Sequence, residues 1–367
     1  MKEPLLPDEL CSVVSLAAQE DPCGTAVAHE RYVLIEVPLP WENDLTASRY
    51  FPAVLKDALQ QAKERGITFR LLGFAPEKEQ SSPPGLRRIQ LYTRPAAPFA
   101  EYLREEFVMP EEKLGALIAA AFGLQPQAVA AEAASGREAA APAGGAASGC
   151  SGEQNGEAGT AGAAAGASPS LAPFAAYACS SDGIRDLFVC THGTYDICCG
   201  KLGYPVYQAL RSSHEAGSEG RLRVWRVNHI GGHRLAPTLV DFPSGRYWGP
   251  LQLDSLDELV NQRGDAAALY RQYRGWGGLQ PHEQRVDREI WQREGWEWMS
   301  YERFGTSRQQ EDGTTHVQIH FRRPGSASDE AYEAYVRETG EITITGCHMK
   351  EALKCKQYEV FGLVKLC

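Results

Sequence analysis

The spacing of apolar positions along the chain predicts two α/β units and a smaller third segment. Residues 1–124 open with a short helix after Pro7-Asp8, its apolar side made by Leu10, Val13, Val14 and Leu16. Tyr32–Val37 reads as a strand, ended by Pro38 and Pro40. A helix over about 50–64 stops at Gly66, the usual glycine position after a helix. Strands at Ile67–Phe74 and Arg88–Thr93 follow, then helices over about 97–106 and 110–122. Residues 171–285 begin with a buried-type strand, Asp186–Cys190, and continue with a helix around Pro205–Ser213 and a strand at Arg221–Val227. Leu239–Phe242 and Tyr247–Trp248 flank the turn Pro243-Ser244-Gly245 as a hairpin. A helix over Ser255–Gln262 has Ser255 as its cap and Glu258 at the capping-box position. Residues 286–367 carry an aromatic stretch, Trp291 to Phe304, then an alternating strand, Thr315–Phe321. A helix at about 328–338 and strands at Ile342–Thr345 and Tyr358–Val364 complete an α+β pattern.

The order β-α-β-β-α of the first unit is compatible with a thioredoxin-like half, and the second unit follows the same order. The two units read as related copies, with ligands in the second alone. Between them, residues 125–170 read as a linker. From 130 onward this stretch has no Ile, Leu, Val, Met or aromatic residue, so it cannot bury enough apolar surface to offset its ordering entropy.

Charge and hydropathy narrow the function. The net charge is −10, which argues against a general nucleic-acid surface and fits a basic redox partner or plain solubility. No apolar run is long enough to span a membrane, and the acidic start does not read as a signal peptide, so a cytoplasmic location is expected. Of the ten cysteines, those at 190, 198 and 199 stand out because two histidines follow them. Cys347 and Cys355 sit apart and read as ordinary, as does the histidine pair His316 and His320 on one strand face.

The informative residues run from Cys190 to Gly200 and from His229 to His233. Cys190 ends an apolar strand. Cys199 lies nine positions on, where the start of a helix supplies free N–H groups that favour a thiolate. Gly231 and Gly232 remove side chains between the two imidazoles, so the backbone can approach a bulky inorganic group. Thiolates with imidazoles suit zinc or an iron–sulfur centre. Structural zinc sites place paired cysteines two to four residues apart, and the eight residues between Cys190 and Cys199 argue for a wider, binuclear group. Cys198 adjoins Cys199. His192 is placed either to bond a sulfur or, with Asp196, to shape the loop.

The segments FVCTHGTYDICCGKLGYPVYQAL and VWRVNHIGGHRLAPTLVDFPSGRYWGPL resemble the sucrase/ferredoxin-like family, whose thioredoxin-like ferredoxin domain carries Cys-x8-Cys and then His-x-Gly-Gly-His. The match is close over about 170–275 and looser in the first unit, through EVPLPW and the CGTA at Cys23–Ala26. The resemblance implies a [2Fe–2S] cluster with Cys190 and Cys199 on the ferric iron and His229 and His233 on the reducible one. It implies a one-electron carrier acting with a redox partner protein, more than a stand-alone enzyme. Two alternatives stay open: a thioredoxin-type thiol oxidoreductase, against which stands the lack of Cys-x-x-Cys, and a zinc-stabilised interaction module. No facing carboxylate pair for glycoside hydrolysis can be singled out.

Overall fold

A computed structural model describes residues 10–124, 169–347 and 351–366. The linker expected over 125–170 lies outside the described residues except for its last two positions. The first unit contains α1 (Cys11–Ala17), β1 (Arg31–Glu36), α2 (Leu55–Glu64), β2 (Arg70–Ala75), β3 (Leu86–Thr93), β4 (Leu103–Pro110) and α3 (Leu114–Ala121). The second contains β5 (Arg185–Cys190), α4 (Ile197–Leu210), β6 (Leu222–Val227), β7 (Leu239–Phe242), β8 (Arg246–Trp248), α5 (Leu256–Asn261) and β9 (Tyr273–Trp276). Then come α6 (Pro281–Glu294), β10 (Glu302–Gln309), β11 (Thr315–Arg322), β12 (Asp329–Ile344) and β13 (Leu353–Leu366).

Strands β1 to β9 make one mixed sheet, in the order β4-β3-β1-β2-β6-β5-β7-β8-β9. Each half pairs its first strand in parallel with its second and antiparallel with its third, so one strand order is used twice. The halves join where β2 meets β6 antiparallel, at Phe74–Val227 and Ala75–Arg226. Asn228 extends the joint: its N–H donates to the Gly73 carbonyl, and its side-chain oxygen accepts from the Gly73 N–H. The sheet curls enough for Tyr92 of β3 to stack on Phe242 of β7, with centroids 4.1 Å apart. Inside the curl, Arg223 forks onto Glu106 and Asp186 at 2.7 Å each, and Arg104 adds a second cation to Asp186. Two buried carboxylates are thus neutralised by guanidinium groups drawn from β4 and β6. This requires no spacing rule in the sequence, only the assembled sheet. The second sheet, β10-β11-β12-β13, is antiparallel and packs on α6. There Arg303 and Asp287 form a fully buried pair, with Arg303 lying over Trp276 and Trp298.

Three local expectations are corrected. The helix expected over 97–106 does not form: 97–102 are irregular and 103–106 open strand β4, whose eight-pair ladder with β3 buries Phe107 and Met109 on alternate positions. The helix expected at 328–338 is part of the long strand β12. Its Ala and Glu content favours a helix, but Tyr332, Ala334 and Val336 fall at period two and turn onto the core. Ser255 and Glu258 form no capping box, because the Ser255 hydroxyl is taken by Gln252 and Gln272. That arrangement occurs instead at the start of α6, where the Gln280 N–H donates to Glu283.

Candidate metal centre

Cys190 is the last residue of β5, and its N–H donates to the Thr238 carbonyl. The loop after it reaches Asp196, which caps α4 by accepting the Cys198 N–H at 2.8 Å. Successive helix residues point about 100° apart, so the first turn of α4 sends Cys198 and Cys199 to different sides. Cys199 turns to Cys190 and His229. One ligand atom from each of these three residues lies within 4.8 Å of the others, and Cys199 Sγ is 3.7 Å from His229 Nδ1. Both sulfurs are buried. The Cys190 thiol lies well below its ordinary pKa, held down by hydrogen bonds from Cys199 and then His229 against the cost of burial. Cys199 is correspondingly raised, first by its bond to Cys190. The two sulfurs therefore share negative charge opposite an imidazole.

His233 is placed differently from the other three expected ligands. Its ring lies 6.0 Å from that of His229, but its Nδ1 faces Asp196 Oδ2 at 3.0 Å and Cys11 Sγ at 3.2 Å. The hydrogen bond to Asp196 raises the His233 pKa. Burial is the largest influence on the Asp196 carboxyl and would raise it, but the hydrogen bond and charge of His233 together with the hydrogen bonds from Cys198 hold that group low.

The close approach of α4 and the cysteine loop depends on small residues. A Cβ on Gly203 would sit 2.0 Å from the Cys190 carbonyl oxygen. Gly232 has φ +75°, and a Cβ there would meet the Arg274 guanidinium at 2.7 Å. Arg274 is the supporting residue that motif reasoning missed. Its Nη1 donates to the Gly231 carbonyl, while its Nε and Nη2 donate to Thr25. The CGTA segment thus braces the loop that carries both histidines. EVPLPW does the same for the cysteine loop: the Trp41 carbonyl accepts from Thr194, and its ring meets His192 edge-on. The His192 ring accepts the His229 N–H at 3.2 Å, and its own main-chain N–H faces Cys190. Tyr195 stacks on His229, 3.9 Å between centroids.

A second group of potential ligands comprises Cys11, Asp196, Cys198 and Cys347, again within 4.8 Å of one another. Cys11 and Cys347 carried no sequence signal, because positions 11, 198 and 347 share no motif spacing. His316 and His320 join neither group. His316 bonds Glu333, and His320 stacks on Phe304.

The profile of the sucrase/ferredoxin-like family matches residues 22–275, which is more than half of the chain. The chain belongs to the sucrase/ferredoxin-like family. The match spans both halves of the large sheet and stops at β9, before α6 and the second sheet. Among solved structures, the chain is similar to a thioredoxin-like [2Fe–2S] ferredoxin from Aquifex aeolicus, with 17% identity and a TM-score of 0.22. That similarity covers 26% of this chain and 93% of the ferredoxin. No curated protein matches. Among the described residues no helix is long and apolar enough to cross a membrane.

Proposed function

We propose that this member of the sucrase/ferredoxin-like family holds one [2Fe–2S] cluster on Cys190, Cys199, His229 and His233 and serves as a one-electron carrier. The observation that carries the reading is the convergence of two buried cysteine sulfurs and the His229 imidazole within 4.8 Å, drawn from a strand end, a helix start and a glycine-rich loop. The donor set fits: two thiolates and two neutral imidazoles are an established ligation of a binuclear iron–sulfur centre, which supplies reversible one-electron chemistry. His233 fits through its second nitrogen. With Nδ1–H donating to Asp196, the lone pair rests on Nε2, the carboxylate–histidine arrangement that commonly orients a metal-binding imidazole.

The surrounding residues have separate tasks. Arg274 and Arg70 hold the histidine loop through the Gly231 and His229 carbonyls. Tyr195 fixes the plane of His229. His229 also borders an open cleft of about 820 Å³, shared with Tyr195, Arg70, Lys56, Lys63, Asp44 and Asp57. A redox partner protein would approach there, since burial closes off the two sulfurs. His229 lines that cleft, and the His233 Nδ1 faces Asp196. With a cluster bound, reduction would make these rings more basic, and the midpoint potential would fall as pH rises, by up to about 59 mV per unit for one proton per electron. His233→Cys would replace a neutral donor by an anionic one, lower the potential and weaken this slope, which voltammetry across neutral to alkaline pH reads directly.

Iron and acid-labile sulfide analysis of anaerobically purified protein tests the reading. About two irons and two sulfides per chain are expected. A colourless protein with zinc on these residues, or a metal-free protein active in thiol exchange, would replace it.

A further inference from the structure

Three cysteines outside the proposed cluster set come together from distant parts of the chain. Cys11 lies at the start of α1, Cys198 in the first turn of α4, and Cys347 just after β12. Cys11 and Cys198 sulfurs are 3.6 Å apart, and those of Cys198 and Cys347 are 3.1 Å apart. The Cys11 N–H donates to the Cys347 sulfur at 3.2 Å, so the third thiol already acts as an acceptor. Asp196 completes a group of four ligand atoms within 4.8 Å of one another. Cys11 and Cys198 are fully buried, in a small apolar cluster with Ala236, Ile344 and Cys355. Two further details suggest a site shaped around the sulfurs. Cys347 has φ +46°, a left-handed conformation that non-glycine residues seldom adopt. Ser12, adjoining Cys11 in sequence, is buried and hydrogen-bonds the Cys198 sulfur through both its side chain and its main chain.

We propose that Cys11, Cys198, Cys347 and Asp196 form a second metal site, a structural zinc centre that ties the N-terminal helix and the β12–β13 hairpin to α4. Four ligands, all from the protein, correspond to a closed tetrahedral site, and three soft sulfurs disfavour calcium and magnesium. Binding converts up to three thiols to thiolates and releases their protons to solvent. The site shares no ligand with the proposed cluster. Asp196 and Cys11 nevertheless both meet the His233 Nδ1, at 3.0 and 3.2 Å, so this one nitrogen connects the two centres.

The zinc contributes where packing is thin. The elements it ties are otherwise joined around this point by the small cluster named above, and α1 carries Val13 and Leu16 exposed. A metal that binds the folded state alone stabilises it by mass action, and metal affinity in such sites is folding free energy.

The test is metal analysis of the full chain, expressed with zinc supplied and purified anaerobically, in the wild type and in Cys11→Ser, Cys347→Ser and Cys355→Ser. The wild type should hold about one zinc per chain, and Cys11→Ser and Cys347→Ser should each lose most of it while their iron content stays as in the wild type. Cys355→Ser, buried in the same cluster but outside the ligand group, should keep zinc and iron. A wild-type readout guards against misfolded variants: peptide mass spectrometry after alkylation should show Cys11, Cys198 and Cys347 protected together and released together by a zinc chelator. Zinc that responds to Cys11 and Cys347 in a chain without iron would sustain this site while removing the cluster. Absence of zinc from the wild type, zinc unaffected by both substitutions, a Cys198–Cys347 disulfide in fresh protein, or iron lost along with zinc would each overturn it.

Discussion

Cys198 and Cys199 are neighbours in the chain and serve opposite sides of α4. Cys199 faces Cys190 and His229, whereas Cys198 faces Cys11 and Cys347. The Cys198 thiol lies at about 6, pulled down first by its hydrogen bond with Cys11. A low pKa alone would nominate Cys198 as the reactive sulfur; geometry assigns it to a different group. Cys199→Ser is therefore expected to lose or severely destabilise the visible chromophore, while Cys198→Ser retains most of it. Equal loss in both, read by iron content and absorbance, would mean that the second thiolate is misassigned. The Cys-x8-Cys spacing makes this distinction legible in the sequence, because strand end, loop and helix start are local. The partners of Cys198 lie at positions 11 and 347 and have no local signature, so the sequence reading treats Cys347 as ordinary.

At the scale of elements, the site depends on how closely α4 lies against the end of β5. Gly203 faces the Cys190 carbonyl, and a methyl group there would force helix and strand apart. Gly203→Ala is expected to cost about 1–3 kcal/mol, as overpacking does, and to lower iron occupancy. Thermal unfolding together with metal content checks this. Wild-type stability in the variant would show that α4 can shift freely and that its distance from Cys190 is not critical. Strand and helix identities were readable wherever one period dominated, as in β5, β6 and β11. They failed at β4 and β12. Leu, Arg and Glu in β4, and Ala, Glu and Arg in β12, favour a helix locally, and pairing with a neighbouring strand overrides that preference. The brace from Arg274 to Gly231 was invisible for a related reason: it joins residues far apart in the chain through a guanidinium that no motif marks.

At the scale of the molecule, the two halves share one sheet, and the N-terminal segment meets its edge strand β9, where the Gly24 N–H donates to the Arg274 carbonyl, and reaches α6. Asp21 forks onto Arg288 of α6 at 2.6 and 2.9 Å. Burial is the largest influence and would raise the Asp21 pKa, but the hydrogen bond and charge of Arg288, with the Cys23 N–H and Arg285, together lower it. A carboxyl with a lowered folded-state pKa adds stability above its unfolded value, near 4, and loses that contribution as pH falls through its folded value. Asp21→Asn should thus cost about 2 kcal/mol at neutral pH and progressively less as the pH falls below about 4. Denaturant unfolding of both proteins across this range gives the comparison, and a cost independent of pH would assign the effect to packing. The shared strand order of the halves was visible as a repeated element order. Their fusion through β2 and β6 was not, because an antiparallel joint of two residue pairs leaves no pattern in either strand.

The proposed function requires two cysteine sulfurs and two imidazoles on one binuclear cluster. Pulsed electron–nuclear double resonance on the reduced protein, grown with 15N-histidine, tests it most directly. Two strong nitrogen couplings are expected in the wild type, and one in His233→Cys. A reduced cluster without strong nitrogen coupling would remove both histidines from the iron and contradict the account.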